Sequence, residues 1–443
     1  MCSKHTETCM VHPFWLSVRP KVIFLTGQYG TSHREVCDGL CRVATEKLGH
    51  HSRMQPIAKP YSVEEHIWRI AGSSEAFFEL PNDSERDEVW RDAFCRVKAE
   101  IEKDDPIFAF VSLHAVYLWK KRFFSSVDWD GLLTIEPNVI VTLVDDIYDT
   151  CCRIRQQQVA HGVVEGGGYT LQEILSWRLR EVHTSVLIAK HVRVNPEWFP
   201  SLEGYLEHHD RDVRGIDRRE MRMVFGRPLD HYVISVKQNI SDLYRLLFER
   251  KTLRVYSSYP ISAPRQKPDA DFFESLRQWR DTLHQRFVVF DPVAIDEARF
   301  VFEKGSTTVR VLGARLAYGI GEPMVSAPTD DTPTWSAADL SAIAEAVIQQ
   351  VGERDYKLVS QADVVLMWRP LYDRQTHGGV DSEGVFAAAK RIPVHSYHPA
   401  SDRVGNKPFP PHYGTPHGTE EEVLAVAATL RAEGGAERRS EMY

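Results

Sequence analysis

Long apolar runs are missing from this 443-residue chain, and no window approaches the ~18 residues a membrane span needs. The opening, MCSKHTETCMVHPFW, also lacks the positive-then-apolar layout of a secretory leader, so a cytoplasmic chain with no membrane partner is expected. Cysteine stops at Cys152. The seven present (Cys2, Cys9, Cys37, Cys41, Cys95, Cys151 and Cys152) form no framework pattern, which excludes a disulfide-stapled scaffold and fits reduced thiols. Cys2, His5, Cys9 and His12 make two C-x-x-H pairs with only three residues between them, too tight for a tetrahedral centre, and no metal site is expected there. Excess basic charge is absent as well: 54 Lys and Arg against 62 Asp and Glu give a formal charge of -8, which argues against nucleic acid and for small-molecule partners. There is no internal repeat.

What is there reads as ordinary globular protein, 43% hydrophobic and 26% charged, with length for two or three domains. KVIFLTG (Lys21 to Gly27) has the continuous apolar character of a buried parallel strand and breaks into a glycine turn and an amphipathic helix. Further strands fall at PIFAFVSLH, NVIVTLVDD and HYVISVK with helical segments between them, an alternation that predicts a parallel sheet covered on both faces. The turn has a phosphate loop's outline but not its chemistry. With Gly27 and Gly30 as its first glycines and Thr31 following, Ser32 stands at the last glycine, His33 at the lysine and Arg34 at the Mg²⁺-holding hydroxyl of G-x-x-x-x-G-K-[ST]. Loop amides and a helix N-terminus can still receive a phosphate. The segment from Ser201 to Pro228, with His208 and His209, is dense in both charges and reads as a solvated helical excursion or lid.

Residues 20–250 resemble the adenylate kinase-like nucleoside monophosphate kinases, through the first loop, the strand followed by DDIYDTCCRIR with Arg153 and Arg155, and the closing strand before ISDLYRLLFER. The resemblance implies a nucleotide at this domain, with or without Mg²⁺. His33 and Arg34 imply sensing or a structural role rather than efficient phosphoryl transfer.

In the second half, RVYSSYPIS, ERDYKLVSQADVVLM and GGVDSEGVFAAAKRIPV place carboxylates at strand ends and a helix start, where open α/β sheets bind ligands. These three blocks, in this order, resemble the nucleoside 2-deoxyribosyltransferase superfamily, most closely its 2'-deoxynucleoside 5'-phosphate N-hydrolases. The resemblance implies that Glu383, placed in the first turn of its helix, stabilises or attacks the anomeric carbon. Asp355 protonates the departing base, and Tyr256 orients Glu383 or contacts the sugar. Ser258, Gly379 and Ser382 line the substrate, Asp363 lines it or only holds the loop at the start of its strand, and Ser401 and Arg403 meet its phosphate or belong to a solvated loop. Cleaving an N-glycosidic bond develops oxocarbenium character, for which paired carboxyl groups are the general answer. Tyr259 stands where the family has glycine, and this departure implies an unusual substrate or binding without turnover. The glycosidase chemistry requires no cofactor. The family also implies a homo-oligomer.

The fold class expected is α/β: two three-layer parallel-sheet domains, P-loop kinase-like over 20–250 and deoxyribosyltransferase-like (Rossmann-like) over 252–432, with an extension at 1–19 and a tail at 433–443. The leading functional reading is a nucleotide N-glycosidase. A non-catalytic nucleotide-sensing regulator and a bifunctional kinase and glycosidase are the alternatives.

Overall fold

The apolar runs form two five-stranded sheets in the computed structural model, which describes residues 21–48, 56–125, 127–160, 168–194, 227–249, 252–267, 269–297, 308–310, 324, 334–373, 375–399 and 414–432. The first sheet contains β1 (Lys21–Gly27), β2 (Ala58–Ser62), β3 (Phe108–Ser112), β4 (Val139–Val144) and β5 (Asp230–Ser235), in the order β2-β3-β1-β4-β5. All its pairings are parallel. The crossovers run through α1 (His33–Leu48), α2 (Val63–Ala71), α3 (Asp83–Asp104), α4 (Ile147–Ala160) and α5 (Leu171–His191). The chain leaves β1 toward β2 and leaves β3 in the opposite direction toward β4. Right-handed crossovers then put the following helices on opposite faces, and a crevice opens at the carboxyl ends of β1 and β3.

Helix α6 (Ile240–Phe248) leads to the second sheet, made of β6 (Arg254–Ser258), β7 (Val288–Phe290), β8 (Val364–Trp368), β9 (Val394–Tyr397) and β10 (Thr415–His417). Its order is β7-β6-β8-β9-β10, again parallel throughout. Here the switch point lies between β6 and β8. Helices α7 (Ala270–Arg286), α8 (Ala337–Ser360), α9 (Gly378–Ala389) and α10 (Glu420–Ala432) cover the two faces.

Local chemistry sets most of the helix starts. Thr170 and Glu173 form a reciprocal capping box on α5, and the Ser336 hydroxyl accepts from the Asp339 N–H at the head of α8, each satisfying amide groups the helix cannot. α9 differs. Its N-cap residue, His377, makes no side-chain cap bond, and Gly378 and Gly379 are already helical. Glu383 therefore sits in the second turn, not the first: the glycines read as loop in sequence but continue the helix one turn further back.

One apolar core runs through both sheets, joining Leu25, Val36 and Leu40 of the first to Tyr256, Val359 and Val365 of the second. Each fully buried side chain of this kind contributes about 1.5–3 kcal/mol. Polar contacts join the sheets too. The Gln361 carboxamide pairs with the outer strand β5, its Oε1 accepting from Val233 N (2.7 Å) and its Nε2 donating to Val233 O (3.1 Å). Arg178 of α5 grips Glu297 through two bonds of 2.5 and 2.9 Å and donates to the Asp145 carbonyl at 2.9 Å. No helix among the described residues is long and apolar enough to cross a membrane. Cys2, His5, Cys9, His12, His208, His209, Ser401, Arg403 and the tail 433–443 lie outside the described residues.

Candidate active site at the second sheet

Strand β6 turns alternate side chains to opposite faces, so Tyr256 and Ser258 share the face covered by α8 and α9. Both reach Glu383. The Tyr256 hydroxyl donates to Oε1 at 2.9 Å and the Ser258 hydroxyl to Oε2 at 2.5 Å. All three are buried, Glu383 being 8% exposed and the other two fully enclosed. The second turn of α9 thus delivers a carboxyl to the carboxyl end of β6, beside the switch point.

Asp355, in the last two turns of α8, is the second carboxyl. Arg354 holds it, donating to Asp355 Oδ1 from Nε (3.2 Å) and Nη2 (3.0 Å). The same guanidinium is fixed by the carbonyls of Ile295 (2.7 Å) and Pro292 (3.2 Å), which lie just after β7. The arginine belongs to the R-D block, but only the fold reveals that it is the clamp on that aspartate.

Burial pushes the Glu383 carboxyl up to about 8, and the negative charge of Asp355 adds to the rise, against the opposing pull of the Ser258 and Tyr256 hydroxyls. Burial also raises Asp355, although Arg354 pulls it back down. Arg354 favours the ionised form of Asp355 against that burial. The ionised form of Asp355 thus favours the protonated form of Glu383. Tyr256 is held well above its ordinary range by burial and by Glu383, so it stays a hydrogen-bond donor.

Asp291, after β7, shares the neighbourhood but is fully committed. It accepts from the Tyr259 hydroxyl (2.6 Å), Arg280 Nε (2.6 Å) and the Val293 amide (3.0 Å). Burial works against its charge, yet Arg280 and His284 hold it well below the carboxylate range. The bulky Tyr259 in the opening loop is thereby pinned inward, 3% exposed.

Asp363 is not part of this cluster. It precedes β8 at the amino end of the sheet, where it accepts Arg254 N (2.9 Å), Nε (3.0 Å) and Nη2 (3.1 Å). A strand length separates it from the carboxyl edge, and there it ties β6 to β8. Ser382 is exposed and donates back to the Gly378 carbonyl at 2.6 Å, a helix-internal bond, and Gly379 is exposed with open space about it. His377 was not singled out from sequence. Its Nε2, at the head of α9, is buried with no hydrogen-bond partner among the described residues.

The first sheet's loop is arranged differently. Gly27 N–H, Ala115 N–H and Val116 N–H all donate to the carboxylate of Glu181 on α5, at 2.9, 2.8 and 2.8 Å. The His114 ring donates from Nδ1 to the Gly27 carbonyl at 2.5 Å and packs edge-on to His33, ring centres 4.6 Å apart. His33 is buried, and burial together with His114 lowers its pKa well below the usual value, leaving it neutral where a phosphate loop needs a cation. Thr31 turns inward to the Gln28 carbonyl (2.7 Å), and Ser32 adopts a left-handed φ of 55° to start α1. Arg34 points away from the loop and pairs with Glu65 at 2.5 Å on the surface. Gly30 lies against α4, where a Cβ would come within 3.0 Å of the Thr150 carbonyl. Arg153 faces this loop, donating to the Gly30 carbonyl at 3.2 Å and to Asp145 Oδ2 at 2.5 Å.

Two cavities among the described residues lie apart from Glu383. One of about 10 Å³, room for roughly one water, sits between the sheets among Val144, Ser235, Asp291 and Arg354. The other, about 320 Å³, is an open groove beside Arg245, Gln285 and Leu424. Neither touches Glu383, and the segments 298–307 and 400–413, which follow β7 and β9, lie outside the described residues.

No family model matches the chain, and no curated protein does. Among solved structures it is similar to a conserved protein from Enterococcus faecalis V583, at 14% identity over 40% of this chain and 98% of that one, with a TM-score of 0.20. A sugar kinase from Janibacter sp. HTCC2649 aligns at 9% identity over 52% of this chain and 93% of that one, with a TM-score of 0.25. Thymidylate kinase from Candida albicans aligns at 10% identity over 52% and 90%, with a TM-score of 0.23. Likenesses of this extent carry no functional argument, and the strand orders above stand on their own.

Proposed function

We propose that the chain is a nucleotide N-glycosidase acting at the carboxyl edge of the second sheet. The observation that carries this reading is the pair of hydroxyls from Tyr256 and Ser258 on the two oxygens of Glu383. Such an arrangement aims and stabilises a carboxylate, which is what an oxocarbenium-like transition state requires. Asp355 receives the pair's proton as Glu383 becomes ionised beneath the sugar, and passes it to the departing base. The resemblance of the three sequence blocks to the deoxynucleotide N-hydrolases supports the same assignment. A phosphate on the substrate would fall to Ser401 and Arg403. A cytoplasmic setting and a homo-oligomeric state complete the proposal.

The test is incubation of the purified protein with nucleoside monophosphates, deoxynucleoside monophosphates and NAD, followed by chromatography for free base. Release from at least one nucleotide is expected, and a nucleoside acceptor in the mixture distinguishes transfer from hydrolysis. A second reading, nucleotide binding without turnover, is favoured by one observation: Tyr259, anchored on Asp291, occupies the turn where a glycine would leave space. Saturable binding without base release from any nucleotide would support that reading and remove the first.

A further inference from the structure

At the carboxyl end of β4 in the first sheet, Asp145, Asp146 and Asp149 bring carboxylate oxygens within 4.8 Å of one another, all buried. Three such groups beside a glycine loop form the donor set a hard divalent cation takes. The ammonium of Lys237, which follows β5, already lies among them. It contacts Asp149 Oδ2 at 2.8 Å, Asp145 Oδ1 at 3.4 Å, and Asp146 more closely still. Arg153 closes the remaining side at Asp145. Asp146 Oδ1 and Asp145 Oδ1 are further engaged within the turn, accepting from the N–H groups of Asp149 and Asp146, each at 2.8 Å.

The complementary half of the crevice is filled in the same way. The Gly27 amide, part of the cradle a phosphate would use, already donates to Glu181, and a Cβ at Gly27 would meet His33 Nε2 and Thr31 Oγ1 at 2.8 Å. A Mg²⁺-nucleotide, which the kinase-like resemblance implies, does not fit these residues: its cation and its anion would each have to displace a buried side chain of opposite charge to their surroundings.

We propose that Lys237 is the resident cation of the first crevice, standing among Asp145, Asp146 and Asp149 in place of a divalent metal, so that this unit takes up no Mg²⁺ and transfers no phosphoryl group. The crevice is self-liganded, with Glu181 in the anion's place and Lys237 in the metal's. This inference is independent of the chemistry at Glu383.

Mn²⁺ serves as the probe, counted by electron paramagnetic resonance on the full chain, with thermal unfolding run alongside. The parent protein is expected to bind no Mn²⁺ at millimolar concentration and to keep its Tm. Lys237→Met removes the internal cation and leaves the carboxylates opposed, so its Tm falls by about 5 °C or more. It is expected to bind one Mn²⁺ per chain and to regain stability on doing so, and adding Asp146→Asn should cancel the uptake. If Lys237→Met does not fold without metal, refolding in Mn²⁺ is expected to rescue it. Stoichiometric Mn²⁺ binding by the parent that Asp146→Asn abolishes would overturn the assignment. So would a folded Lys237→Met that binds none, or failure of Mn²⁺ to rescue an unfolded one.

Discussion

The two sheets end their first strands beside buried carboxyls that are partnered differently. At the edge of the first, the charges near the loop are partnered, although burial still raises Glu181 and Asp146 to about 7: Glu181 lies on three backbone amides, and Asp145, Asp146 and Asp149 surround Lys237 and Arg153. At the edge of the second, two buried carboxyls face one guanidinium and two hydroxyls, and one of them is driven up to about 8. A neutralised cluster stabilises. An under-compensated one is ready to exchange a proton or meet a developing positive charge. The difference teaches that a loop outline does not define a site; the balance of charge left over after internal pairing does.

The largest expected effect breaks the second edge. Glu383→Gln keeps the shape and an acceptor for one of the two hydroxyls but removes the ionisable group, and base release should fall by about 10³-fold or more while the fold is retained. Circular dichroism and kinetics on the same sample check this. Arg178→Met tests whether the neutral balance of the first region is also a tie between the sheets. It strands Glu297, fully buried and, among the described residues, otherwise hydrogen-bonded to the Ile147 amide alone, and should cost about 3–5 kcal/mol in denaturant unfolding. A loss under about 1 kcal/mol would make the pair dispensable. Tyr256→Phe deletes one of the two hydroxyls on Glu383, and a rate loss of about 10- to 100-fold is expected, since one charge-assisted hydrogen bond contributes on the order of 1.5–3 kcal/mol.

A smaller effect appears in stability against pH. Glu383 is raised to about 8, and burial raises Glu181 and Asp146 to about 7. Each is raised above its unfolded value, so the native state holds more protons than the unfolded chain between about pH 5 and 8. The stabilisation is full below the unfolded carboxyl range and is lost as pH rises through that window, by at most about 1.4 kcal/mol per pH unit for each proton. Tm should therefore decline from pH 5 to 8, and less steeply in Glu383→Gln. A flat profile in the parent would remove the case for raised carboxyls at either edge.

The sequence carried the strands well, because parallel strands buried on both faces leave unbroken apolar runs such as KVIFLTG and ADVVLM. It also carried the residues that converge on Glu383, since a strand's period of two puts Tyr256 and Ser258 on one face. It could not carry pairings made across the chain. Asp363 reads as a site residue until Arg254, 109 positions earlier, takes it at the amino end of the sheet. Arg34 has the spacing of a loop residue, yet Glu65 draws it outward. Glu181 lies in the middle of an amphipathic helix and gives no signal of capturing Gly27, 154 positions away. Lys237 likewise reads as a strand-end lysine until three aspartates surround it. The helical register of Glu383 was missed for a local reason: two glycines that favour a loop are held in the first turn of α9 by the helix that follows.

The pH dependence of base release tests the central claim, that a carboxyl pair sharing one proton performs the chemistry at the second edge. With a nucleotide whose base is a poor leaving group, kcat/KM in the parent is expected to fall about tenfold per pH unit above about 8, as the last proton of the Glu383 and Asp355 pair is lost. In Asp355→Asn the rate should be about 10²-fold lower, and that descending limb should vanish, because the group that delivers the proton is gone. A parent profile with no fall above pH 8, or an Asp355→Asn profile that keeps the same limb, would contradict it.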